Sequence, residues 1–224
     1  MTHKLPKGLA QLEHDITTCE RCPRLRDYCQ EVARVKRRAY LDWDYWGRPV
    51  PGFGDPHAQL FILGLAPGAH GANRTGRVFT GDRSGDWLYR ALHQTGFANQ
   101  PTSDHRDDGL QLTNAWVSAS VRCAPPDNKP LPPEIVTCRD YLDRELALMR
   151  NVRVVVALGR LAFDNYLGKR RSKFEFTHDG ELHVDPGAPI LISSYHPSQQ
   201  NTSTGKLTEP MLRAVFERAR RLLA

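Results

Sequence analysis

The chain has 224 residues, of which 40% are apolar and 25% charged, and it carries a net charge of +6. That is ordinary for a globular protein with room for one large domain and only marginal room for two, so disorder is excluded. No apolar run approaches the roughly 18 residues of a membrane span, and the polar start Met1-Thr2-His3-Lys4 lacks the apolar core of a secretion signal. A cytoplasmic protein is expected, and the positive balance favours a polyanionic partner, nucleic acid first.

Residues 9–38 have helical spacing in two pieces, Leu9, Leu12, Ile16 and then Leu25, Tyr28, Val32, Val35. Between them lies Cys19-Glu20-Arg21-Cys22-Pro23, a turn that lets two thiolates face one metal centre. The basic run Arg34, Lys36, Arg37, Arg38 is a solvated face unless it borders the site. Residues 39–57 show no periodicity and are expected to wrap the core through Trp43, Tyr45 and Trp46. The first strand spans 58–64, and its carboxyl end opens into a loop, 64–82, with five glycines. Loops in that position of an open α/β sheet hold ligands, and glycines let backbone approach them closely. A helix follows from about Ser84 to Thr95, with Gly96 as its stop.

A second strand is expected over 110–121. Five prolines in the nine positions 125–133 then make a stiff loop around Asn128. A helix over 134–149 precedes the unbroken apolar strand 152–158, which reads as a buried parallel strand. A helix to about Leu167, a basic loop at 169–173, a hairpin within 174–187, a last strand at 189–194 and a closing helix at 208–223 complete the chain. The alternation predicts a single α/β domain with a central four-stranded parallel sheet and helices on both faces. The three unusual loops, 64–82, 122–133 and 195–201, then meet at one sheet edge.

Cys19 and Cys22 form one pair and Cys123 and Cys138 a second, with Cys29 left over. Structural zinc and an iron–sulfur cluster both suit four thiolates, and spacing does not separate them. A zinc-stabilised DNA-binding module without catalysis is therefore one reading. A phosphate-binding α/β enzyme is another, although neither a P-loop nor a dinucleotide fingerprint is present.

The motifs resemble those of family 5 uracil-DNA glycosylases. The matching stretches are Gly64-Leu65-Ala66-Pro67-Gly68, Arg74-Thr75-Gly76-Arg77-Val78-Phe79-Thr80-Gly81-Asp82, Arg122-Cys123-Ala124-Pro125-Pro126-Asp127-Asn128-Lys129-Pro130 and Tyr195-His196-Pro197-Ser198-Gln199-Gln200-Asn201. Cys19-Glu20-Arg21-Cys22-Pro23-Arg24-Leu25 and Pro49-Val50-Pro51-Gly52-Phe53-Gly54-Asp55-Pro56 match as well.

The resemblance implies the uracil-DNA glycosylase fold across 1–224, with an arm of about 57 residues tied down by a [4Fe–4S] cluster on Cys19, Cys22, Cys123 and Cys138. It implies a monomer that flips uracil from double-stranded DNA and hydrolyses the N-glycosidic bond. His196 would hydrogen-bond the uracil O2 and stabilise the departing anion. Phe79 would stack on the base, with Gly64, Ala66 and Ala119 as further pocket wall. Asp82 would position water or stabilise the sugar cation, and Asn128 would supply a second polar group. Arg74, Pro197, Ser198 and Asn201 would touch DNA. Arg170, Arg171 and Arg213 are further phosphate candidates, with Asn73, His70 and Asn114 as weaker pocket candidates. Two departures from family 4 stand out: Leu65 replaces an acid, and Ala119 replaces a base-reading Asn. A pocket without that amide is expected to accept other deaminated bases, such as hypoxanthine.

Overall fold

The computed structural model describes residues 5–224. In chain order the elements are α1 (Lys7–Thr17), α2 (Pro23–Val35), β1 (Phe53–Gly54), β2 (Leu60–Gly64), α3 (Ala72–Thr75), α4 (Arg83–Gln94) and β3 (Ala115–Ala119). There follow α5 (Pro132–Leu148), β4 (Val154–Leu158), α6 (Arg160–Leu167), β5 (Gly180–Leu182), β6 (Ile190–Ser194), α7 (Gln199–Ser203) and α8 (Glu209–Leu223).

The sheet order is β1-β3-β2-β4-β6-β5. Its central strands β3, β2, β4 and β6 are parallel, as the apolar runs require. Alternate side chains feed two cores. Leu60, Ile62, Val117 and Val156 pack with Leu88 and Leu92 of α4 and Leu212 and Phe216 of α8. Phe61, Leu63, Val155 and Leu191 pack with Leu12 of α1, Leu142 of α5 and Phe163 of α6.

Two antiparallel edge strands extend the expected sheet. β1 pairs with β3, Phe53 opposite Val117. β5 pairs with β6, Glu181 opposite Ile192, so the hairpin expected within 174–187 is instead made with the last strand. The second strand is shorter than 110–121, because Asn114 turns the chain at φ +54° just before it. The Asn114 side chain binds Gln59 at the amino end of the sheet, away from the pocket.

The amino-terminal arm is anchored by ordinary packing. Leu9, Leu12 and Ile16 of α1 join the core beside Tyr141 and Leu142 of α5. Arg24 of α2 forks onto Glu134 at 2.8 and 2.9 Å. Glu134 also accepts the Leu131 N–H at 2.7 Å, which caps α5.

Phe216 is fully buried under the sheet, so Phe216→Ala should cost about 3–5 kcal/mol. The melting temperature should fall by roughly 10 °C. On the same helix, Arg213 makes only an exposed i,i+4 pair with Glu217, and Arg213→Ala should leave Tm within about 1–2 °C.

Candidate active site

The loops after β2, β3 and β6 enclose a cavity of about 610 Å³ at the carboxyl edge of the sheet. Its wall includes Ala66, Phe79, Asp82, Ala119, Asn128 and His196. A second groove, about 710 Å³, lies between α5 and α6; of the expected residues it holds Arg171, and none of the expected catalytic or base-binding residues lines it.

Gly64 and Ala119 are register partners at the ends of β2 and β3. The Phe79 ring lies directly on Gly64, where a Cβ would come within 2.6 Å of Phe79 Cε2. Phe79 holds φ +52°, an uncommon conformation for an aromatic residue. Its carbonyl presses on Gly85, where a Cβ would lie 1.8 Å from Phe79 O. Asp82 is the N-cap of α4, and its Oδ1 accepts the Gly85 N–H at 3.0 Å. Its other oxygen faces the turn below: a Cβ would sit 2.9 Å from Oδ2 at Gly68 and 2.1 Å at Gly71. Burial pushes the Asp82 carboxyl up, against the Gly85 and Ser84 N–H groups that favour the charged form. The capping role and the place in the cavity wall therefore coexist in one side chain.

Asn128 ends a 3-10 turn, Pro126–Asn128, in which Asp127 and Asn128 both have positive φ (+55° and +56°). It reaches the cavity mouth from an exposed position. His196 follows β6, and its ring tilts 31° to Phe79 with centroids 5.8 Å apart. Burial holds its pKa down at about 4, so the imidazole is neutral at pH 7. Its loop is pinned by Asn201, whose Nδ2 donates to the His196 carbonyl at 2.8 Å. Ser198 caps α7 by accepting the Asn201 N–H at 3.3 Å, and Pro197 is buried. These three residues thus hold His196 in place.

Arg74 is not a surface contact, contrary to expectation. It is 3% exposed, donates to His70 O at 2.8 Å and Gly81 O at 2.9 Å, and lies between the Tyr40 and Trp43 rings. Asn73 is likewise buried, donating to the Cys29 and Ala69 carbonyls. Arg170 is paired with Asp185. Arg37, from the run that mattered only if it bordered the site, does line the cavity. Tyr40 and His70 join it there, and His70 Nδ1 pairs with Tyr45 OH at 3.1 Å. Burial lowers the His70 pKa, assisted by Arg37 and Arg74. Sequence spacing carried no signal for Tyr40, since it lies in an aperiodic stretch.

Cys22, Cys123 and Cys138 gather with Cys29 around Leu25 and Val121. Cys19 and Cys138 act on Cys22, whose thiol is pushed up first by burial and then by those neighbours. Cys29 Sγ donates to the Ala124 carbonyl at 3.5 Å, next to Cys123. Among the described residues no three His, Cys, Asp or Glu side chains are already closed into a metal-holding group. The donor chemistry nevertheless suits a thiolate-bound centre, because Arg122, the residue before Cys123, keeps Nε and Nη1 buried and without a partner among the described residues.

Residues 51–220 match the family model of the uracil DNA glycosylase superfamily. Over 220 residues the chain is 49% identical to a type-5 uracil-DNA glycosylase of Mycobacterium leprae, covering 96% of each chain. It is 49% identical to the type-5 uracil-DNA glycosylase of Thermus thermophilus, over 92% of this chain and 94% of that one. For the Pyrobaculum aerophilum type-5 uracil-DNA glycosylase the figures are 44%, 91% and 88%. The chain belongs to the type-5 uracil-DNA glycosylases. This family places the chain among enzymes, against the reading as a non-catalytic zinc module. No helix among the described residues is long and apolar enough to cross a membrane.

Because Arg74 is an internal strut, Arg74→Ala should lower stability by roughly 2–3 kcal/mol. It should leave the slope of log Kd against log salt unchanged on duplex DNA. Arg37→Ala should instead keep Tm and make that slope shallower by about one.

Proposed function

We propose that this protein flips uracil, and other deaminated bases such as hypoxanthine, out of double-stranded DNA and hydrolyses the N-glycosidic bond to leave an abasic site. The observation that carries the reading is the meeting of Phe79, Asp82 and His196 around one cavity at the carboxyl edge of the sheet. The flipped base stacks on Phe79, whose ring is braced by Gly64 beneath it. As the bond to the sugar lengthens, negative charge gathers on the base carbonyl and positive charge on the sugar. The neutral His196 ring has an N–H to donate to that carbonyl without having to lose a proton first. Among the described residues no hydrogen bond ties up the His196 ring, so its donor is open to a ligand.

Asp82 is the acid of this site. Leu65 brings none to the start of the loop, so the carboxylate at the head of α4 holds water or faces the developing cation. Asn128 adds a polar group from the opposite rim. The Ala119 methyl supplies no amide pair to read the base edge, which supports acceptance of more than one base. Arg37 at the mouth meets phosphate.

Cys19, Cys22, Cys123 and Cys138 hold a [4Fe–4S] cluster in this reading, which supplies a rigid cross-link between the arm and the core rather than chemistry at the base. The gathering of Cys22, Cys123 and Cys138 and the unfilled Arg122 donors support it.

A duplex oligonucleotide with one uracil, treated with enzyme and then alkali, tests the proposal. Cleavage at that position is expected, with His196→Ala slower by about 10²–10³-fold, and an intact strand at high enzyme excess overturns it. A hypoxanthine duplex should also be cut, and no cleavage there removes the broad-specificity part alone. The His196 ring is already neutral at pH 7, so it should add no change as pH falls through 6.5 and should lose its neutral form only toward pH 4. Asp82, whose carboxyl burial raises, should add a separate loss on the acid side as it takes up a proton. A catalytic imidazolium would instead give activity that appears only below pH 6.5.

A further inference from the structure

Arg122 follows β3, directly before Cys123, and is 1% exposed. Its Nη2 donates to Glu145 Oε2 at 2.5 Å. Glu145 also takes the Trp116 Nε1–H at 3.0 Å and the Ser118 hydroxyl at 2.6 Å, so this carboxylate is well satisfied. The guanidinium is not. Its Nε and Nη1 are buried with no partner among the described residues, and buried donors without acceptors are costly, most of all on a charged group. The Val50 N–H fixes the Arg122 carbonyl at 2.7 Å, so the residue is not free to swing elsewhere.

The surroundings name the missing acceptor. Cys123 is the next residue. Cys138 lies on α5, the helix that also carries Glu145, and packs with Cys22, Cys29 and Cys123. A neutral thiol is a poor acceptor, whereas metal-bound thiolate or sulfide is a strong one. Glu145 cannot be the reason for the open donors, since it already binds the third nitrogen.

We propose that Arg122 is a positioning residue for the cysteine-held metal centre: its two open N–H groups serve the centre's sulfur, and its charge offsets the buried thiolates. Glu145 and Trp116 hold the guanidinium in place for that contact. The proposal rests on the reading that the cysteines hold a metal centre, and it does not depend on whether the metal is iron or zinc.

The test compares metal retention in whole, purified protein, with iron, acid-labile sulfide and zinc assayed per chain. Wild type, Arg122→Lys, Glu145→Gln and the double variant Arg122→Met/Glu145→Leu are challenged anaerobically with a chelator. The double variant removes both buried charges together, so no orphaned carboxylate remains to unfold the chain. It should keep the wild-type circular dichroism spectrum and release metal at least ~10-fold faster. Arg122→Lys, which keeps charge but loses the fork, should fall in between. Glu145→Gln keeps Arg122 but weakens the grip on its guanidinium, so its release rate should fall between wild type and the double variant. Wild-type release from both Arg122 variants overturns the proposal. Should the double variant not fold, Arg122→Lys decides by the same rate. Zinc in place of iron in the wild type overturns the cluster reading while the release rates still decide the role of Arg122. A wild-type protein without metal overturns both.

Discussion

Phe79 and Asp82 rest directly on main chain, and the site depends on that contact. The Phe79 ring occupies the space of a Gly64 side chain, and the Asp82 carboxylate the space of one at Gly71. The Phe79 carbonyl does the same at Gly85, inside the first turn of α4. The end of β2, the loop and the start of α4 are therefore one unit, closed by backbone contact instead of side-chain interdigitation. Positive φ at Phe79 is held by that closure.

The same burial shifts the two ionisable groups in a useful way. It raises the Asp82 carboxyl and lowers His196, so each is biased toward its neutral form. Asp82 keeps a counterweight in the N–H groups at the head of α4. His196 has none, and a neutral N–H donor is the result. The capping bond is thus part of the electrostatics of the cavity.

Net positive charge is a poor guide to where this molecule meets a polyanion. Arg74, Arg77 and Arg122 are all buried and face the interior instead of solvent. Arg77 binds Ser103 at 2.8 Å and Asp108 at 2.7 Å. Arg218 is forked onto Asp179 at 2.8 and 3.0 Å. What lines the cavity is Arg83 at the head of α4 and Arg37, from a run that looked like a plain solvated face.

The sequence alone determined the central parallel strands, the helices that cover them, and the three loops at their carboxyl ends. Apolar runs, glycine and proline stops are local signals, and a parallel sheet turns them into one edge. It also held the family in full view, because motif residues such as Phe79, Asp82 and His196 lie in short contiguous strings. Tertiary structure alone decided the rest. It assigned Arg74 to the interior and Arg37 to the rim, because a charged side chain has no periodicity that tells burial from exposure. It added β1 and β5, two strands too short to have a pattern of their own. And it showed why the glycines of the first loop are there: Gly64, Gly68 and Gly71 make room for side chains up to 15 residues away along the chain, a steric demand that no local spacing encodes.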